Sequence, residues 1–233
     1  YRLVHPPWGA MTIDATGHIA HKSIQHSHYA LVAVHSASLT PDGLTADDGG
    51  TGYVLLVGLH ARSDTLLALQ RLFTILQKPP LRIHSDNAPE LCSKTADRFF
   101  LSLGINHTTP PAYEHHAVGK AERLWDSLKT LARAMMLHSG IPLEFWEYAL
   151  KHATLIYNCT APPPNGCAAT RFEAYYGSKP DLTHIFPFGA MAYIKISKEQ
   201  HKALDINSSF GQRSLAGVYL GQDDINGIVI HII

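Results

Sequence analysis

The chain has 233 residues, 45% of them apolar and 16% charged, and its 19 basic and 19 acidic side chains sum to a net charge of zero. Such a length holds one domain of about 150 residues, burying roughly 70% of its unfolded surface, plus a smaller unit. The composition is that of a soluble globular protein: no apolar run approaches the ~18 residues that span a bilayer. The lack of clustered Lys and Arg argues against a strong free-standing polyanion binder.

The chain opens on Tyr1-Arg2-Leu3-Val4 and closes on strand-like Ile228-Val229-Ile230-His231, so it reads as a fragment of a longer product. No signal-peptide pattern is visible in it. Cys92, Cys159 and Cys167 are few and unevenly spread, which suits reduced thiols better than a disulfide frame. Among sixteen histidines, the group His18, His21, His26 and His28 invites a metal reading, but the Cys-x-x-Cys pair of ordinary zinc sites is missing.

Taken in order, Ala10 to Ala15 is predicted as a first strand with Met11 and Ile13 on one face, closed by the turn Thr16-Gly17. Tyr29 to Val34 and Tyr53 to Val57 are two further β-rich runs. Between them, residues 39–52 carry Pro41, Asp42-Gly43 and Gly49-Gly50, the composition of a mobile loop, and lack the Lys-Ser/Thr of a phosphate-binding loop. Ser63 or Asp64 can cap a helix with Leu66, Leu69, Leu72, Phe73 and Leu76 on one face, which Pro79-Pro80 stops. A short strand, Leu81 to His84, runs into the turn formers Asp86, Asn87 and Pro89, which puts Asp86 at a strand tip. A helix near Thr95 to Leu103 closed by Gly104, a strand at Ile105 to Thr108 and a loop over residues 110–116 follow.

Ala121, Leu124, Leu128, Leu131 and Met135 recur at steps of three and four, the stripe of a long helix with Glu122 at its edge. A further amphipathic helix carries Leu143, Trp146, Leu150 and Ala153. Thr170 with Glu173 makes a capping box for a short helix ending at Gly177. From His184 on, short β-rich runs (Met191 to Ile196, Leu215 to Leu220, Ile228 to Ile230) suggest a small barrel.

Ser85-Asp86-Asn87, the run Gly119-Lys120-Ala121-Glu122-Arg123 and the thirty-five residues between the two acids resemble the catalytic core of retroviral-type integrases, especially those of copia-type retrotransposons. The downstream text resembles the same family: Ile141-Pro142-Leu143-Glu144-Phe145-Trp146, Asn158, Phe188-Gly189, Ala192-Tyr193 and Lys202-Ala203-Leu204-Asp205. The resemblance implies an α/β ribonuclease H-like fold: a mixed five-stranded sheet flanked by helices, then a helical connector and a small SH3-like β unit. The expected divisions are a catalytic core over 8–139 with a loop insertion near 39–52, a helical extension over 140–182 and the β unit over 184–233. In that fold the first and fourth strands lie side by side, bringing Asp14 next to Asp86 while a helix supplies Glu122.

By resemblance, Asp14, Asp86 and Glu122 are both the catalytic residues and the ligands of two Mg²⁺ or Mn²⁺ ions. Three carboxylates within about 5 Å repel by roughly 3 kcal/mol per pair at an effective dielectric near 20, which cations offset. The implied reaction is 3′-end processing of the element's DNA, with water as nucleophile, and joining of the 3′ hydroxyl to target DNA by metal-assisted phosphoryl transfer. Asn87, Lys120, Arg123, Lys129 and Arg133 are candidate DNA contacts, or else a turn cap and a solvated helix face. The resemblance further implies element ends and target DNA as partners, a homo-multimer, the rest of a polyprotein, and action in the nucleus after a cytoplasmic stage. Each acid taken singly has a plainer reading, as a strand-end turn former, an Asx-turn or a solvated helix residue. Asp126 lies one turn after Glu122, where the family usually has a basic residue. Two alternatives stay open: another ribonuclease H-like nuclease, and an inactive or co-opted relic that binds DNA or forms multimers.

Overall fold

The computed structural model describes residues 8–42, 44, 49–109, 118–164, 166, 169–197, 213–223 and 227–232; within these, the side chains of 118–122, 223 and 227 are outside the description. Strands β1 (Trp8–Ala15), β2 (Tyr29–Ser38) and β3 (Val54–Leu59) form an antiparallel meander. A 3-10 turn (Arg62–Asp64), α1 (Thr65–Leu76), β4 (Arg82–His84), α2 (Lys94–Ser102), β5 (Asn106–Thr108) and α3 (Val118–Ser139) follow. The five strands make one mixed sheet in the order β3-β2-β1-β4-β5, with β4 parallel to both β1 and β5. The expected side-by-side placement of the first and fourth strands is therefore present. No helix among the described residues is long and apolar enough to cross a membrane.

Period-two alternation divides the core between the faces of this sheet. Met11, Ile13, Leu31, Ala33 and Ile83 point to one side, against Leu69 and Leu72 of α1 and Phe100 of α2. Ala30, Val32 and Val54 point to the other, against Leu124, Trp125, Leu128 and Ala132 of α3. β2 is apolar on both faces because both are covered.

Three local expectations shift. Asp64 sits at the N-cap of α1 without capping it; its Oδ2 instead accepts the Ala61 N–H at 3.1 Å and closes the 3-10 turn. α1 ends before the prolines, at Gln77, whose left-handed φ of 62° turns the chain. The buried stripe of α3 is Leu124, Trp125, Leu128, Ala132 and Met136, with Leu131 and Met135 at its margin, so the helix is rolled relative to the predicted face. The capping box at Thr170 and Glu173 forms as expected and starts α5 (Arg171–Tyr176), which ends at Gly177.

β3 is an outer strand of the sheet, and α4 (Trp146–Thr160), entered through a 3-10 turn at Leu143–Phe145, lies along it. Asn158 Oδ1 accepts the Val54 N–H at 2.9 Å and its Nδ2 donates to the Val54 carbonyl at 2.8 Å, as a neighbouring strand would. Further up the helix, Glu147 is 3% exposed. Ser23 Oγ donates to its Oε2 at 2.9 Å and Lys151 Nζ stands 3.1 Å from its Oε1. A Cβ on Gly58 would lie 2.4 Å from that carboxyl carbon, so β3 can approach α4 only with glycine there.

The expected small β unit is a three-stranded antiparallel sheet, β6 (Met191–Lys195), β7 (Ser214–Asp223) and β8 (Gly227–Ile232). Leu220 of β7 and Phe188 join the cluster of Trp146, Ala149 and Leu150 on α4. His152, 2% exposed, is wedged between Phe188 and Tyr219. Burial lowers its pKa below the ordinary 6.5. Burial likewise pushes the thiol of Cys159, on the same helix, up to about 11, so it stays protonated. Cys92 and Cys159 are free thiols, and Cys167 lies outside the described residues.

Two measurements check this arrangement. Asn158→Ala leaves two backbone groups of Val54 without partners and should cost about 2–4 kcal/mol in urea unfolding; a loss under half a kcal/mol would remove Asn158 as the closure of β3. A histidine with a lowered folded pKa contributes stability that is present above its unfolded value and lost as pH falls through the folded one. Unfolding free energy should therefore decline below about pH 6.5, and less steeply in His152→Leu than in the parent chain.

Candidate active site

Strand alternation decides where Asp14 points. Met11 and Ile13 fill one core, so Thr12 and Asp14 face the other side. Asp14 is in register with Val32, and directly opposed residues of an antiparallel pair share a face. Val32 packs in the cluster that includes Leu124, Trp125 and Leu128 of α3, so half-buried Asp14 lies on the sheet face that α3 covers.

Asp86 reaches the same place from β4. The parallel register pairs Thr12 with His84, and two residues further on each strand stand Asp14 and Asp86. Neighbouring strands are about 4.8 Å apart. By extension of that register the two aspartates stand at the same end of adjacent strands. Asp86 is exposed, and its Oδ1 accepts the Ala88 N–H at 3.3 Å, an Asx-turn that ends the strand. Asn87, beside it, is exposed too.

The strand tip is held from behind by Ser85, read in the sequence only as part of a motif, and by His107, which the sequence reading passed over. Ser85 is 1% exposed; its Oγ donates to the Asp86 carbonyl at 2.8 Å and lies 2.8 Å from His107 Nε2. Because the single hydroxyl proton is committed to Asp86, His107 donates through Nε2–H. Desolvation lowers the pKa of His107, opposed by Asp97 and aided by His84, which keeps the ring neutral. His84 Nδ1 lies 3.1 Å from Thr108 Oγ1 on β5. No local pattern marks His107; only the β4–β5 pairing shows its role.

Glu122 and Lys120 lie on α3, whose buried stripe packs against the Asp14 face, and their side chains are outside the described residues. The predicted loop over 110–116 is outside them as well. Arg123, Lys129 and Arg133 are exposed, with Lys129 Nζ 5.6 Å from the Trp125 ring centre. Asp126, also exposed, lies three residues before Lys129 and seven before Arg133, so one line of α3 carries both signs.

Another group missed in the sequence stands at the strand ends. Arg62 has Nη1 3.6 Å from Glu90 Oε1, its Nη2 donates to the Thr16 carbonyl at 3.5 Å, and its guanidinium carbon is 5.7 Å from the Tyr29 ring centre. Arg62 lay in a stretch legible only as a helix start.

As a donor set, paired aspartates are hard oxygen ligands of the kind Mg²⁺ and Mn²⁺ take. Among the described residues no group of three or more His, Cys, Asp or Glu converges on one point, so the described share of the site is this pair. The same holds for the histidines of residues 18–28, where His18 stacks on His28 with ring centres 5.0 Å apart.

No protein-family model matches the chain. It is 26% identical over 145 residues, 61% of its length, to the retrovirus-related Pol polyprotein from transposon TNT 1-94 of Nicotiana tabacum, and it spans about a tenth of that relative. Among solved structures it is similar to a chain of the simian T-cell lymphotropic virus intasome in complex with PP2A regulatory subunit B56 gamma. The TM-score is 0.55 at 20% identity, covering all of this chain and 78% of the other. It is also similar to the HTLV-2 integrase catalytic core domain in complex with magnesium, in a trimeric form. Here the TM-score is 0.51 at 22% identity, covering 74% of this chain and 99% of the other. The chain is a relative of a retrotransposon Pol polyprotein and has the fold of a retroviral integrase catalytic core.

Proposed function

We propose that this chain is the catalytic core of a copia-type retrotransposon integrase, which trims the 3′ ends of the element's DNA and joins them to target DNA. The observation that supports the reading is the parallel β1–β4 register, which brings together the strand ends that carry Asp14 and Asp86 in a sheet against which α3, the helix of Glu122, packs. Asp14, Asp86 and Glu122 would hold two Mg²⁺ or Mn²⁺ ions, whose chemistry is to polarise a phosphodiester and to favour the attacking and leaving oxygens.

The chain's own groups do the positioning. The Asx-turn at Ala88 and the Ser85 hydroxyl on the Asp86 carbonyl fix the strand tip, so its carboxylate is oriented before substrate arrives. Exposed Asn87 would donate its amide to a phosphate oxygen, and exposed Arg123, Lys129 and Arg133, together with Lys120, would meet the DNA backbone. A single small core is too small to hold two element ends and a target at once, so the working form is a multimer. The magnesium complex and trimeric form of the HTLV-2 core and the viral intasome support the metal and the assembly. Action belongs in the nucleus, where target DNA lies, after release from the rest of the polyprotein.

A second reading, a relic that binds DNA or other subunits without chemistry, is favoured by the net charge of zero and by Asp126 among the bases of α3. A strand-transfer assay of the full-length protein on element-type DNA ends separates the two. Joining that Asp14→Asn abolishes supports the enzyme, whereas DNA binding without joining supports the relic. Titration calorimetry adds an independent check: Asp86→Asn should weaken Mn²⁺ binding at least tenfold, about 1.4 kcal/mol, and equal affinities in the two chains would rule Asp86 out as a ligand.

A further inference from the structure

Arg62 spans the ends of both acid-bearing strands. Thr16, whose carbonyl it reaches, follows Asp14 by two residues, and Glu90, its ionic partner, follows Asp86 by four. The described contacts of its guanidinium are long for their kind. A charge-assisted guanidinium–carboxylate bond settles near about 2.8 Å and is often bidentate, whereas Arg62 meets Glu90 through one pair of atoms at 3.6 Å. The Arg62 side chain is 45% exposed and that of Glu90 14%, so the cation is open to solvent and the anion sits behind it. The Tyr29 ring lies against the guanidinium, and His18 meets that ring edge-on, which limits the directions the cation can take.

The surroundings call for such a group. Two aspartates at neighbouring strand ends repel a polyanion, and exposed Asp126 adds a negative charge to α3. A planar guanidinium matches a phosphate with two parallel hydrogen bonds, a better arrangement than its single long contact to Glu90.

We propose that Arg62 grips a phosphate of the DNA backbone at the strand ends that carry the two aspartates, and that Glu90 holds it in reserve until that phosphate takes the carboxylate's place. This rests on the reading of the chain as a DNA-handling core. No covalent step is involved; one ionic partner is exchanged for another.

The test is the binding of labelled duplex DNA to the full chain, followed by fluorescence anisotropy over a salt series with Mg²⁺ present. Arg62→Gln should weaken binding about tenfold and reduce the slope of log affinity against log salt by about one. Arg62→Lys, which keeps the charge and controls for folding, should retain the slope while losing part of the affinity. Glu90→Gln should tighten binding about two- to fivefold, and that gain should vanish in the Arg62→Gln background, because the carboxylate acts through the guanidinium. An unchanged slope in Arg62→Gln, or a Glu90→Gln gain that persists without Arg62, overturns the proposal and leaves the core reading standing. A parent chain that binds no DNA at any salt removes both.

Discussion

The parallel pairing of β4 with β1 carries everything downstream of it. β4 is only three residues long, and its middle residue, Ile83, is fully buried between the sheet's neighbours and the α1–α2 layer. The Leu81 N–H to the Gly9 carbonyl at 3.1 Å and the Ser85 N–H to the Thr108 carbonyl at 3.1 Å extend the pairing beyond the strand proper. Because side chains alternate with a period of two, a slip of one residue here would turn Asp86 away from Asp14. Burial of Ile83 is what opposes that slip: misplacing it would expose a full aliphatic side chain, about 2–3 kcal/mol. An apolar residue that touches no substrate therefore sets the alignment of the two acids.

Much of this was legible in the chain itself, wherever the signal was local. Met11 and Ile13 alternate with Thr12 and Asp14, so the buried face of β1 could be read off directly. Thr170 and Glu173 satisfy each other's backbone within four residues, so the start of α5 needed no tertiary information. What escaped depends on elements distant in sequence. The roll of α3 toward Trp125 and Met136 is set by the sheet face it meets, and its own spacing fits more than one stripe. Asn158 sits 104 residues from the strand it pairs with. Ser85 and His107 meet only once β5 has paired with β4. The side chain of Glu122, central to the sequence reading, lies beyond the described residues, so the site is built from its two strand-borne members.

Electrostatics links the site to the stability of its scaffold. Two carboxylates at adjacent strand ends repel each other, and that repulsion works against folding. It is tolerated here because both faces of the sheet are covered by large apolar clusters that do not involve the acids. The neutral ring of His107 behind the strand tip adds no further charge to the region. The molecule thus keeps its unfavourable charges at the open end of the sheet and its uncharged, tightly packed groups behind them.

The lateral docking of α4 on β3 has a consequence for solubility. An outer strand with free backbone groups is a template on which another polypeptide can polymerise. The Asn158 amide occupies the groups of Val54, and Glu147 lies so close to Gly58 that even a methyl would collide. A second copy of this protein approaching that rim meets the α4 side chains at both of these positions, which opposes sheet-to-sheet pairing there.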